Sequence, residues 1–137
     1  MKKVLLYLLV GLSVSTVAVA QQSVARLWNE ALLQSIREDF ARPTVHARNL
    51  FHTSVAMWDS WAAYDTSSEP YMLGNSINGF ECGYSGIPAP ANIESARDKA
   101  ISYAAYRLLT HRFTLSPGAQ NALARYNVLM NDLGYDV

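Results

Sequence analysis

Residues 41 to 65, ARPTVHARNLFHTSVAMWDSWAAYD, carry two histidines, two aspartates and three tryptophan or tyrosine rings on one helical period. At 100° per residue, Arg48, His52 and Asp59 fall within about 40° of one stripe. An imidazole oriented by a carboxylate is a general base, so this line of residues could accept a proton. The competing reading is a buried polar network that joins this helix to its neighbours. The second is preferred, because no recognisable motif places a serine, cysteine or threonine nucleophile beside the histidine. A stripe of Phe51, Val55, Trp58 and Ala62 runs next to the polar line and is expected to face the core.

His46 and His52 stand six residues apart and so point about 120° away from each other. They cannot share a metal ion, and the i, i+4 pair of a helical zinc site is missing. His111 and Arg112 close a later helix in YRLLTHRF, where positive charge suits the negative end of the helix dipole. Cys82, the single cysteine, lies in GFECGYSG with no C-x-x-C partner and no catalytic surroundings. It is expected to be an inert or merely oxidisable thiol. Trp28, Trp58 and Trp61 are expected to pack in the core. No catalytic, cofactor-binding or metal-binding residue is assigned in this chain.

Four helical segments position these residues, with no alternation long enough to argue a strand. The first is expected from about Ser23 to Phe40, with a wide apolar arc that includes Val24, Leu27, Trp28, Ala31, Leu32, Ile36 and Phe40. Pro43 ends that helix or opens the second, which runs to about Tyr64. Residues 65 to 92 form a long connection rich in glycine and proline, of the kind that is functional or docked against the body. Asn92 caps a third helix, on which Ala96, Ala100 and Ala104 make a smooth strip. Ser116 and Pro117 open a fourth helix, and Gly134 ends it. The fold class is all-α, four main helices of an incomplete bundle with a long loop between the second and third.

The first 20 residues read as an export signal: Lys2 and Lys3, an apolar run from Val4 to Val17, then Ala18-Val19-Ala20 for cleavage. A membrane anchor is the alternative, but the run is short for a span and ends in small residues. The mature chain then starts at Gln21, is one small helical domain over 21 to 137, and is exported to the periplasm or beyond. Removing Lys2 and Lys3 from the 11 basic residues leaves nine against 11 acidic ones. That balance argues against a nucleic-acid partner and, after signal cleavage, against a membrane partner.

VARLWNEALLQSIREDFARPTVHARNLFHTSVAMWDSWAAYD, with GIPAPANIESARDKAISYAAYRLLTHRF and LMNDLGYD, resembles the N-terminal part of exported bacterial proteins related to the vanadium-dependent haloperoxidases and type 2 phosphatidic acid phosphatases. The resemblance implies an all-α bundle that binds vanadate or phosphate through K-x6-R-P, P-S-G-H and R-x5-H-x3-D. None of the three stands here. Arg42-Pro43 imitates the end of the first, but Ser35 occupies the lysine's place. Ser116-Pro117-Gly118-Ala119 imitates the second with serine and proline exchanged and no histidine. The resemblance therefore implies an N-terminal helical scaffold without its oxyanion ligands. No cofactor is expected in this chain, vanadate or phosphate only in a full-length parent. Its partner would be the remaining half of its own bundle, or another copy. An independent exported helical module that binds through the 65 to 92 loop is the alternative.

Overall fold

The computed structural model describes residues 22–137, so the export signal expected over 1 to 20 lies outside the described residues. Four helices follow in order: α1 Val24–Arg37, α2 Pro43–Ala62, α3 Ile93–Phe113 and α4 Ala119–Asp132. Helix α3 is the hub, since it packs against each of the other three, and α1 also touches α2 and α4. Among the described residues no helix is long and apolar enough to cross a membrane. The all-α class expected from helical periodicity is what the chain adopts.

The core is built where the wide arc of α1 meets α3 and α4. Trp28, Leu32, Leu109, Phe113, Tyr126 and Met130 are fully buried there, with Ala105 and Ala122 as close-approach positions. Trp28 lies edge-on to Tyr106 at 6.4 Å and tilted against Tyr126 at 6.2 Å. Aromatic contacts of this geometry add to the area the rings bury. The strip of Ala96, Ala100 and Ala104 is only half-buried; the fully inward line of α3 is Ile101, Ser102, Ala105, Leu109 and Phe113.

The helix ends follow local chemistry. Ser23 accepts from the Arg26 amide at 3.3 Å and Asn92 accepts from the Ser95 amide at 2.9 Å, satisfying donors that a first turn leaves free. Gly134, at φ 76°, closes α4: its amide bonds the Asn131 carbonyl at 2.9 Å and the Tyr135 amide bonds Met130 at 2.9 Å. That pair of bonds satisfies two carbonyls and needs a residue at ease in the left-handed region.

Two expected boundaries move. Helix α1 stops at Arg37, not Phe40, whose ring is 60% exposed. Arg42 stands before proline and so leaves the helical region, at φ −125° and ψ 77°. Helix α4 begins at Ala119 with Gly118 as its cap, because Ser116 spends its hydroxyl and carbonyl on a turn, accepting from the amides of Gly118 and Ala119. The 65 to 92 connection is not strand-free: Ser76–Ile77 (β1) pairs antiparallel with Phe80–Glu81 (β2). Asn78 at φ 51° and Gly79 at φ 83° make the two-residue turn, a mirror-image geometry that Asn-Gly favours and that was legible in SINGFE.

Gly118 is also a close-approach position. A Cβ placed there would stand 2.5 Å from the Glu38 Cβ and 3.0 Å from its carbonyl oxygen. Gly118→Ala must therefore push the start of α4 away from the end of α1. The expected cost is about 1–3 kcal/mol, read as a lowered midpoint in a denaturant titration.

Candidate functional site

Helix α2 packs with its polar side inward. Its buried residues are His46, Asn49, Thr53, Met57, Asp59 and Ala62, whereas Phe51 and Trp58 of the expected core stripe are 52% and 45% exposed. Of that stripe only Ala62 is buried and Val55 is half-buried. The same correction applies to the tryptophans: Trp28 is core, Trp61 half-buried, and Trp58 outside, stacked on Trp61 at 5.4 Å. The cause is Asp59. Its carboxylate needs donors, and the loop supplies them.

Asp59 accepts from three consecutive backbone amides, Tyr71 at 2.6 Å, Met72 at 2.8 Å and Leu73 at 3.1 Å. Hydrogen bonds to an ionised carboxylate are the strong class, and Asp59 is 94% buried against them. The effect is to hold residues 71 to 73 down on α2. The Trp58 indole donates to the Glu69 carbonyl at 3.1 Å, and Tyr71 sets its ring edge-on to Phe51 at 5.8 Å. Asn75 donates to the Pro70 carbonyl at 2.8 Å, which keeps the turn above it closed.

His52 and Asp59 therefore do not form a base and its orienting carboxylate. Instead His52 Nδ1 lies 2.6 Å from Arg112 Nη2, across from α2 to α3. A guanidinium only donates, so Nδ1 is the acceptor and the imidazole proton sits on Nε2. Burial, the Arg112 charge and the Arg48 charge hold the His52 pKa below its ordinary value. Arg112, assigned from sequence to the helix dipole, is also a partner of His52. Arg48 remains exposed one turn before it. The preferred reading, a polar link between helices, is right in kind, with the partners differently distributed.

The other candidates disperse. His46 sets Nε2 against the Phe40 carbonyl at 2.8 Å and leaves Nδ1 buried without a partner. His111 is exposed. Among the described residues no three His, Cys, Asp or Glu side chains gather as metal ligands.

What the arrangement makes is a groove of about 650 Å³ between α2, the clamped loop and α3. Its walls are Phe51, Val55, Tyr71, Leu73, Ile77 and Leu108, mostly apolar, with His52, Asp59, Ser60 and Cys82 as polar or polarisable edges. Ser60 donates its hydroxyl to the Ala56 carbonyl at 2.7 Å, a helix-surface bond rather than a contact with His52. Cys82 is a free, half-buried thiol. Within this groove His52 is bonded to Arg112 and Ser60 to its own helix.

A second polar cluster, between α1 and α4, escaped sequence reading altogether. Ser35 shares a short hydrogen bond with the Tyr126 hydroxyl, while Arg125 donates to Glu38 at 2.7 Å. Burial pushes the Tyr126 pKa up to about 12, so its hydroxyl keeps its proton and acts as a strap. A serine on the apolar arc of α1 was the one available signal.

Comparison with family models, with curated proteins and with solved structures finds no match to this chain.

The His52 link gives a pH dependence with a defined sign. Its folded pKa is below the ordinary 6.5, so the stability from the neutral ring is fully present above that value and falls as pH drops below it. Glu38 and Asp65 act in a lower window. Hydrogen bonds from Gln34 and Arg125 lower the Glu38 pKa from 4.5, and those from Ser67 lower the Asp65 pKa from 3.8. Their contributions are lost only below those values. Melting curves across pH should thus show an upper acid limb, below 6.5, that His52→Gln flattens while leaving the lower limb in place.

Proposed function

We propose that this chain is a catalytically incomplete helical scaffold of the exported, haloperoxidase-like kind, and that it works by docking other helices on the outer face of α2. The observation that carries this reading is the inversion of α2. Leu50, Phe51 and Trp58 project outward with Tyr71 beside them, while His46, Asn49 and Thr53 are turned in. Apolar surface of this kind, contiguous and ring-rich, is what a monomer seldom leaves uncovered. Covering it yields about 25 cal/mol for each Å² of apolar area removed from water.

The disposition of the cations supports the incomplete part of the proposal. A vanadate or phosphate site needs several guanidinium or ammonium groups aimed at one point. Here Arg42 pairs with Asp39 at 2.9 Å and Arg125 with Glu38 at 2.7 Å. Arg97 pairs with Glu94 at 2.7 Å and lies over the Trp61 ring at 4.4 Å. Each of these three is committed to a different neighbour, and Arg112 is bonded to His52. Arg42-Pro43, the partial match to a family motif, stands at the start of α2 in one of those pairs.

The alternative, an independent exported module that binds through the 65 to 92 loop, draws its support from the groove that the Asp59 clamp holds open. The two readings differ in what α2's outer rings do. In the scaffold reading these rings are the contact surface. In the module reading the loop is.

Light scattering on the purified chain separates them. The scaffold reading expects concentration-dependent association, abolished by the double change Phe51→Glu and Trp58→Glu while circular dichroism shows the helices retained, since the change also removes the Trp58 bond to Glu69 and the stack on Trp61. Saturable vanadate binding or bromide peroxidation is not expected. A strictly monomeric chain at all concentrations, or vanadate binding lost on changing Arg42 or His52, would overturn the scaffold reading.

A further inference from the structure

The exposed rings of α2 also wall a second cavity. About 540 Å³ opens between α2 and the loop, bordered by Phe51 and Trp58 from the helix, Tyr71 from the clamped segment, and Glu69 and Asn75 beside them. Phe51 and Trp58 are seven residues apart, so they stand on one line of the helix with about 10 Å between their attachment points. That spacing leaves room for one small ion. Tyr71 meets Phe51 edge-on at 5.8 Å and its amide is bonded to Asp59, while the Trp58 indole donates to the Glu69 carbonyl. The walls are therefore set before any ligand arrives. No lysine, arginine or histidine lines this cavity, and Glu69 is its only carboxylate. Among the described residues that carboxylate enters no ion pair and no hydrogen bond; only the Glu69 backbone carbonyl is used. Asn75 has given its amide hydrogens to the Pro70 and Tyr71 carbonyls and can offer only its oxygen.

Aromatic faces attract a cation held within about 6 Å of the ring centre. A primary ammonium is strongly hydrated and needs acceptors for three hydrogens, whereas a fully methylated one needs none. A volume of about 540 Å³ lies in the range of small-molecule sites. From three rings and one unpaired carboxylate around one cavity we infer a binding site for a small quaternary ammonium ion, its methyl groups against Phe51, Trp58 and Tyr71 and its charge beside Glu69. The site goes beyond the scaffold reading and does not rest on it. A docked helix and a bound cation compete for Phe51 and Trp58, so the site is open on the undocked chain.

Three probes test it: choline, its neutral isostere with a tert-butyl group in place of trimethylammonium, and ethanolammonium. Each is titrated into the purified chain at a dilution where light scattering shows monomer, with the Trp58 indole and Tyr71 amide resonances as the readout. Choline should shift both saturably and bind roughly fivefold more tightly than the isostere, the size of a ring–cation contact at an exposed site, with ethanolammonium weaker than choline. Glu69→Gln and Phe51→Leu should each bring choline down toward the isostere and leave the isostere nearly unchanged. Glu69 is exposed and its carboxylate unpaired, so its variant keeps the fold. Cosedimentation with phosphatidylcholine vesicles marks a lipid headgroup as the source of the ion and its absence marks a free molecule; both place the same ion in the cavity. Equal binding of choline and isostere, an unaltered preference in Glu69→Gln, or shifts confined to other resonances would each overturn the site. A chain that associates yet shows no preference for choline loses the site and keeps the scaffold reading; a chain monomeric at every concentration that prefers choline does the reverse.

Discussion

A single carboxylate determines how the functional half of this molecule is built. Asp59 sits inside, two turns along α2 from His52, and ionised oxygen cannot be buried without donors. The chain supplies them from three successive amides at Tyr71, Met72 and Leu73. That contact accompanies an α2 whose His46, Asn49, Thr53, Met57 and Asp59 are buried and whose Phe51 and Trp58 are exposed. The pinned loop, and the groove it walls, depend on one hydrogen-bonded group. Two different kinds of stabilisation therefore meet at α3. On the α1 and α4 side the contact is a dense aromatic core around Trp28 and Tyr126; on the α2 side polar residues share the interface.

That division is the ground on which the scaffold reading is proposed. The residue types of an active site are all present on α2: histidines, a carboxylate, serines, a nearby thiol. The structure distributes them among separate partners. His52 goes to Arg112, Asp59 to the loop, His46 to the Phe40 carbonyl and Ser60 to its own helix. Chemistry requires convergence on one reacting atom, and these groups diverge. What the α2 region offers instead is apolar surface, on its exposed rings and along the groove beside the loop.

Much of the fold was legible because it rests on local rules. Asn92 before a helical run, Gly134 after one, and proline at the head of α2 specify those ends by geometry that the neighbouring residues alone decide. Trp28, on the wide apolar arc of α1, was in place for a core. The orientation of α2 was not legible, because both of its faces carry apolar and polar residues, and hydrophobic periodicity then has no preferred side. Only the amides of residues 71 to 73, 12 to 14 positions away in the chain, decide which face is inside. The Arg112 contact with His52 spans 60 positions and has no local signature. The Asn78-Gly79 turn did have a signal, hidden by the shortness of its strands.

The account rests on the Asp59 clamp, and amide hydrogen exchange reads that clamp directly. The amides of Tyr71, Met72 and Leu73 lie in a loop without long secondary structure, where exchange is ordinarily fast. If their bonds to Asp59 hold the loop to α2, they exchange as slowly as amides within α2 itself, and all three become fast together in Asp59→Asn. Fast exchange at these three positions in the unaltered chain, at the rate of the exposed residues around Gly86, would contradict the account.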